Sequence, residues 1–201
     1  MKLKVRSIRA RAVSAPMKRP LTTSTGQVAS AALLLIDLQT DGGIVGRCYL
    51  FGIGRQNLAP IAKLVEAMAE MIKGDELAPL DIERKLRARY TLLGVHNIVL
   101  FAMSGIDMAA WDAFGQALGQ PLVRLLGAAP RPIPAYNSKG LGIQPIKDLA
   151  KQAVELVEEG FRAVKLRLGR PDEHADLDAL RAVKKAIGNK IVLMEIGRAH
   201  V

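Results

Sequence analysis

The chain has 201 residues, half of them hydrophobic, and a formal charge of +10 from 29 Lys and Arg against 19 Asp and Glu. That length and apolar content exclude a disordered chain and allow one domain or two small ones, each with its own core. The charge invites a nucleic-acid partner, but the cations are spread along amphipathic segments (Arg84, Lys85, Arg87, Arg89; Arg181, Lys184, Lys185) and few aromatic rings are available to stack on bases, so an acidic small molecule suits the charge better and no nucleic acid is expected.

Met1 to Arg6 interleaves charges with apolar residues and no apolar block follows, so no signal peptide is read there. Residues 2–13 alternate loosely between apolar and polar, as a half-buried strand does. From about Pro16 to Gln27, the residues Pro16, Pro20 and Gly26 and the Thr/Ser run from Thr22 to Thr25 predict a loop. Ala32 to Gln39 and Ile44 to Tyr49 flank Thr40-Asp41-Gly42-Gly43, a hairpin signal, which completes three antiparallel strands. The longest apolar run, Ala31 to Ile36, is too short to span a bilayer, and the lone Cys48 excludes an internal disulfide framework, so a soluble cytoplasmic protein without a membrane partner is expected. The period then changes. Leu58 to Ile72 carries Ile61, Leu64, Val65, Met68 and Ile72 at helical spacing; Pro79 to Tyr90 reads as a second helix with a basic outer face; Ile98 to Leu118 is a third, with Ile106, Ala109, Ala110, Ala113, Phe114 and Ala117 in one stripe. Strands followed by helices make an α+β domain ending near Gly127.

After Ala128-Ala129-Pro130-Arg131-Pro132 strands and helices alternate. Ile133 to Ser138 reads as a strand, Pro145 to Glu159 as a helix ended by Gly160, Ala163 to Leu168 as a strand, Asp172 to Ile187 as a helix ended by Gly188, and Lys190 to Met194 as a strand. Short links make these parallel units, either of a doubly wound sheet or of a (β/α)8 barrel that has only begun. Gly52-Ile53-Gly54 and Gly140-Leu141-Gly142 lack the full dinucleotide-binding spacing. His96 and His174 have no second ligand at metal spacing and read as surface or capping residues. Asp107 and Asp112, five residues apart on one helix, diverge by about 140° and read as structural, as does Trp111.

Several segments, in order, resemble the mandelate racemase and muconate-lactonizing group of the enolase superfamily. Gly105-Ile106-Asp107-Met108-Ala109-Ala110-Trp111-Asp112 followed by Pro121-Leu122-Val123-Arg124-Leu125-Leu126-Gly127 looks like that group's cap helix and its exit. Ala135-Tyr136-Asn137-Ser138 resembles a first barrel strand, and Gly160-Phe161-Arg162-Ala163-Val164-Lys165 the approach to the second. The resemblance implies an α+β cap domain over residues 1–127, with a three-stranded antiparallel sheet plus helices, and the first three strands of a truncated TIM-type barrel over 128–194. It also implies a chemistry: removal of the proton α to a carboxylate, as in a racemase, epimerase or dehydratase of hydroxy acids or sugar acids. A small carboxylate substrate, Mg2+ or Mn2+, and a homo-oligomeric full-length parent are implied with it. Muconate-type cycloisomerisation and a non-catalytic binding or assembly module are the alternatives.

The resemblance points to Lys165 and Arg167 as catalytic residues. Residues i and i+2 share one face of a strand, about 6.5 Å apart, so both would enter one pocket. The group's usual motif here is Lys-x-Lys, with the second lysine as base, whereas this chain reads Lys165-Leu166-Arg167. A guanidinium is a poor base. Either Arg167 only stabilises negative charge while a later His moves the proton, or Lys165 becomes the base. Ser138 matches a position that contacts the substrate carboxylate. Thr22 and Thr25, in the segment from Leu21 to Gly26, and Tyr49 and Phe51 resemble the two mobile portions that close over substrate. The group's three acidic metal ligands are expected to be missing from this chain, Ile196 standing where the first would be. Glu195-Ile196-Gly197-Arg198-Ala199-His200-Val201 matches an in-frame reading of a sequencing adapter, so native sequence is expected to stop at Met194 and the 201-residue product to be poorly soluble and inactive.

Overall fold

The computed structural model describes residues 2–197; Arg198 to Val201, the greater part of the tail read as adapter-derived, lie outside the described residues. Contacts divide the chain into two compact units, Met1–Ala15 with Ala31–Arg131, and Pro16–Ser30 with Pro132–Val201.

The first unit rests on a sheet ordered β1 (Val5–Thr23), β2 (Gly26–Thr40), β3 (Val45–Phe51). β2 and β3 pair antiparallel from Leu33↔Phe51 to Gln39↔Val45, around the expected hairpin: Thr40 Oγ1 accepts from the Ile44 amide at 3.0 Å and donates to its carbonyl at 3.0 Å. Alternation buries Leu34, Ile36 and Leu38 on one face, against α1 (Leu58–Ile72), α2 (Pro79–Arg89) and α3 (Asn97–Leu118). The helical stripes point inward as their spacing predicts: Ile61, Val65, Met68 and Ile72 of α1, and Ile106, Ala109, Ala110 and Ala113 of α3, are buried. At Gly46 the sheet and α3 come so close that a Cβ would fall on the Ala109 carbonyl oxygen and 2.8 Å from the Ala113 amide, so only glycine fits. Of the two aspartates on α3, Asp112 ties the helix to the sheet, accepting from the Arg47 amide and the Gln116 side chain, both at 2.8 Å. On α2, Arg84 pairs with Asp81 and Arg87 with Glu83, so the basic face is interleaved with acid.

One sequence expectation fails along β1 and β2. The loop expected from Pro16 to Gln27 is instead the end of β1, a two-residue turn at Ser24 and Thr25, and the start of β2. β1 is an edge strand, where a missing amide costs least. The Thr22 carbonyl is turned to the Ile143 amide at 2.8 Å, so by strand alternation Pro20 also faces away from β2, where no ladder donor is required. α3, at 22 residues, is long and apolar enough to cross a bilayer by length and composition alone, but its inward face lies in the core.

The second unit carries α5 (Ile146–Glu158), β4 (Ala163–Arg167), α6 (Glu173–Ile187) and β5 (Val192–Ile196), after the single turn α4 (Leu122–Leu125) of the first. β4 and β5 pair parallel, from Ala163↔Val192 to Arg167↔Ile196. Val164 and Leu166 are buried among Leu141, Leu149, Ala153, Leu156, Ala179 and Val183, which leaves Lys165 and Arg167 on the other face. α6 starts where expected, the Asp172 side chain accepting from the His174 amide at 3.0 Å. The strand expected at Ile133 to Ser138 is a single parallel bridge, Asn137↔Val164. Asn137 already faces the first residues of β4, its amide bonded to the Ala163 carbonyl at 2.8 Å, so residues before it have no strand opposite.

Candidate active site

Lys165 and Arg167 are half-buried on one face of β4, as alternation requires. The Arg167 guanidinium is held by three bonds to a segment far away in sequence: Nη1 donates to the Gly140 carbonyl at 2.8 Å, and Nη2 donates to the Ser138 carbonyl and Oγ, each at 3.1 Å. The Arg167 amide donates to the Leu141 carbonyl at 2.9 Å. Burial pulls the Arg167 pKa below its ordinary value, with the nearby Tyr136 opposing the shift; a guanidinium remains charged regardless. The Lys165 ammonium stands over the Tyr136 ring, 5.7 Å from its centroid, where the negative ring face attracts a cation. Among the described residues, neither cation makes an ion pair with a carboxylate. Two positive charges without a described carboxylate partner on one half-buried face, one fixed in direction, have the chemistry to attract an anion.

Ser138 thus joins Arg167, its hydroxyl accepting from the guanidinium with the O–H still available to donate. Thr22 lies in the same unit, half-buried against the 142–143 backbone. Thr25 is exposed at the hairpin tip, its Oγ1 3.0 Å from that of Thr23. Tyr49 and Phe51 belong to the first unit, on the outward face of β3, and are 63% and 44% exposed. Among the described residues no group of three or more His, Cys, Asp or Glu side chains is placed to hold a metal ion.

Sequence reasoning missed the ion pair that shapes the exit of β4. Asp176, 6% exposed, and Arg170, 8% exposed, meet at 3.0 Å. The other carboxylate oxygen accepts from the Gly169 amide at 2.8 Å, and Arg170 Nη2 reaches the Gln144 carbonyl at 3.1 Å. It also missed Gln152, whose Oε1 accepts from the Leu141 amide at 2.6 Å. A signal existed: Gln152 falls at a core position of α5, between Leu149 and Leu156, where the period calls for an apolar residue.

The chain matches the family described as mandelate racemase / muconate lactonizing enzyme, N-terminal domain, over residues 6–127. It is 29% identical over 180 residues to an L-talarate/galactarate dehydratase of Salmonella typhimurium, covering 87% of this chain and 44% of the relative. It is 28% identical over 198 residues to a hydrophobic dipeptide epimerase of Enterococcus faecalis, covering 95% and 52%. An enolase from Bradyrhizobium, solved in complex with magnesium and mandelic acid, superimposes with a TM-score of 0.88 at 39% identity, over 97% of this chain and 54% of that one. The chain spans about half the length of these relatives.

Proposed function

Because this chain belongs to the mandelate racemase / muconate lactonizing enzyme family, we propose that it is the front part of an enzyme that removes the proton α to a carboxylate, as a racemase, epimerase or dehydratase of hydroxy acids or sugar acids. The observation that carries the reading is the pair Lys165 and Arg167, two cations on one face of β4 with no described carboxylate to neutralise them and with the guanidinium aimed by Ser138 and Gly140. Removing an α-proton leaves a second negative charge beside the carboxylate, and preorganised cations stabilise that charge as it develops. In this reading Arg167 binds and stabilises the anion, and Lys165 adds a second charge and helps orient the carboxylate. Ser138 holds Arg167 in place and contacts the substrate carboxylate, and the family resemblance assigns Thr22, Thr25, Tyr49 and Phe51 to substrate binding. Residues 1–127 are the cap, 128–194 the start of the barrel, and 195–201 adapter-derived. The ligand is a small carboxylate, and the complete enzyme is a homo-oligomer that requires Mg2+ or Mn2+. The described residues do not fit that metal, and in this reading the 201-residue chain by itself is inactive.

The test is exchange of the α-proton of mandelate in D2O, followed by proton NMR with the complete enzyme. Arg167→Met is expected to slow exchange about 100-fold, the scale of one lost preorganised donor to a developing oxyanion. Unchanged exchange in that variant refutes the assignment, and turnover by the 201-residue chain would refute its proposed inactivity. Lys165→Met that abolishes exchange while leaving mandelate affinity intact would instead make Lys165 the base.

A further inference from the structure

Leu141 is fully buried, yet its backbone is left-handed at φ 53°, a conformation that a leucine keeps only where its surroundings fix it. Two bonds do so. Its amide donates to Gln152 Oε1 at 2.6 Å, and its carbonyl accepts from the Arg167 amide at 2.9 Å. The same Gln152 oxygen accepts from Gln144 Nε2 at 2.9 Å, so the two ends of the 141–144 turn converge on one atom. Gly140 is pressed against that side chain as well: a Cβ there would lie 2.8 Å from Gln152 Oε1 and 3.0 Å from Leu156. The Gly140 carbonyl is in turn the acceptor for Arg167 Nη1 at 2.8 Å.

We propose that Gln152 is a positioning residue for the anion-binding guanidinium, holding the strained 140–142 turn so that Gly140 and Ser138 aim Arg167 at the substrate carboxylate. The inference rests on the assignment of Arg167 to carboxylate binding made above. Without the Gln152 oxygen the buried Leu141 amide has lost its acceptor, and the left-handed turn relaxes toward an ordinary conformation. The Gly140 carbonyl then withdraws, and a charged group displaced by a fraction of an ångström from its productive direction loses much of its value.

The experiment measures mandelate binding by calorimetry on the complete enzyme. Gln152→Met keeps the bulk and removes the acceptor, while Gln152→Glu restores an oxygen at the same place. We expect Gln152→Met to weaken binding about ten-fold, the scale of one buried bond, and Gln152→Glu to stay within about three-fold of the parent, since the acceptor is kept. In an Arg167→Met background, Gln152→Met is expected to add nothing, because it acts through the guanidinium. A packing role alone would give additive losses, or a lower melting temperature with unchanged affinity, and either result overturns the proposal. If Arg167→Met leaves binding untouched, the Arg167 assignment fails and this inference falls with it; if Arg167→Met weakens binding and Gln152→Met does not, only the role of Gln152 is lost. Should Gln152→Met fail to fold, Gln152→Asn, whose amide stops one methylene short of Leu141, is judged by the same criteria.

Discussion

Asp176→Asn tests whether the exit of β4, two residues beyond Arg167, is held by a buried charge. Asp176 and Arg170 are each less than a tenth exposed and meet at 3.0 Å, and the carboxylate also collects the Gly169 amide at 2.8 Å. The asparagine oxygen can still accept from Gly169, but the buried guanidinium loses that carboxylate. Breaking one side of a buried pair costs about 3–5 kcal/mol, and the retained Gly169 bond places the expectation near the lower end. The dependence on pH has a definite sign. Burial opposes ionisation of Asp176, but the Gly169 amide, the Arg170 guanidinium and the Arg170 amide together outweigh it and hold the pKa below the ordinary aspartate value. A depressed native pKa means that the contribution is complete above the unfolded value of about 3.9 and is lost as pH falls through the lower native value. Urea unfolding followed by far-UV circular dichroism, with equal slopes for both proteins, should therefore show the full gap between native protein and variant at pH 7 and a shrinking one below about pH 4. A gap under about 1 kcal/mol at pH 7, the range of an exposed pair, or one that persists undiminished in strong acid, would refute the reasoning.

Burial pushes the Cys48 thiol up to about 11, so alkylation by iodoacetamide at pH 8 should run about 100-fold slower than that of glutathione, the thiolate being the reactive form; matching rates would contradict the burial. Ile53 holds a left-handed φ of 62° while 72% exposed, so Ile53→Gly relieves the backbone and forfeits little packing. A gain of about 1 kcal/mol, read as a higher thermal midpoint, is expected, and a lower midpoint would count against it. At Gly46 the added methyl of Gly46→Ala meets backbone rather than a yielding side chain. The expected loss is about 3 kcal/mol, and an unchanged midpoint would show that α3 does not lie as close to β3 as described.

Helical period placed α1, α3, α5 and α6 within one residue of their observed ends, because each buries a stripe that a 3.6-residue repeat reveals. Alternation likewise put Lys165 and Arg167 on one face of β4. The hairpin tip was misread because Pro20, Thr22 and Thr25 carry turn chemistry in composition, while what straightens the strand is the Thr22 to Ile143 bond, 121 residues away in sequence. The same limit governs the site. Which side chains carry charge is local information, and the Lys165-Leu166-Arg167 spacing exposes it. What gives that charge a direction is not local. Ser138 and Gly140 reach Arg167 across 29 and 27 residues, through a turn whose left-handed Leu141 no residue preference would suggest. A sequence can therefore nominate a pair of cations before it can say where the pair points. The distinction bears on the Lys-x-Arg departure: three carbonyl and hydroxyl oxygens hold Arg167 by its donors, an arrangement that a lysine's single ammonium could not reproduce with the same fixed plane. The arginine is thus matched to its neighbours as an aimed cation, as the proposed charge-stabilising role requires.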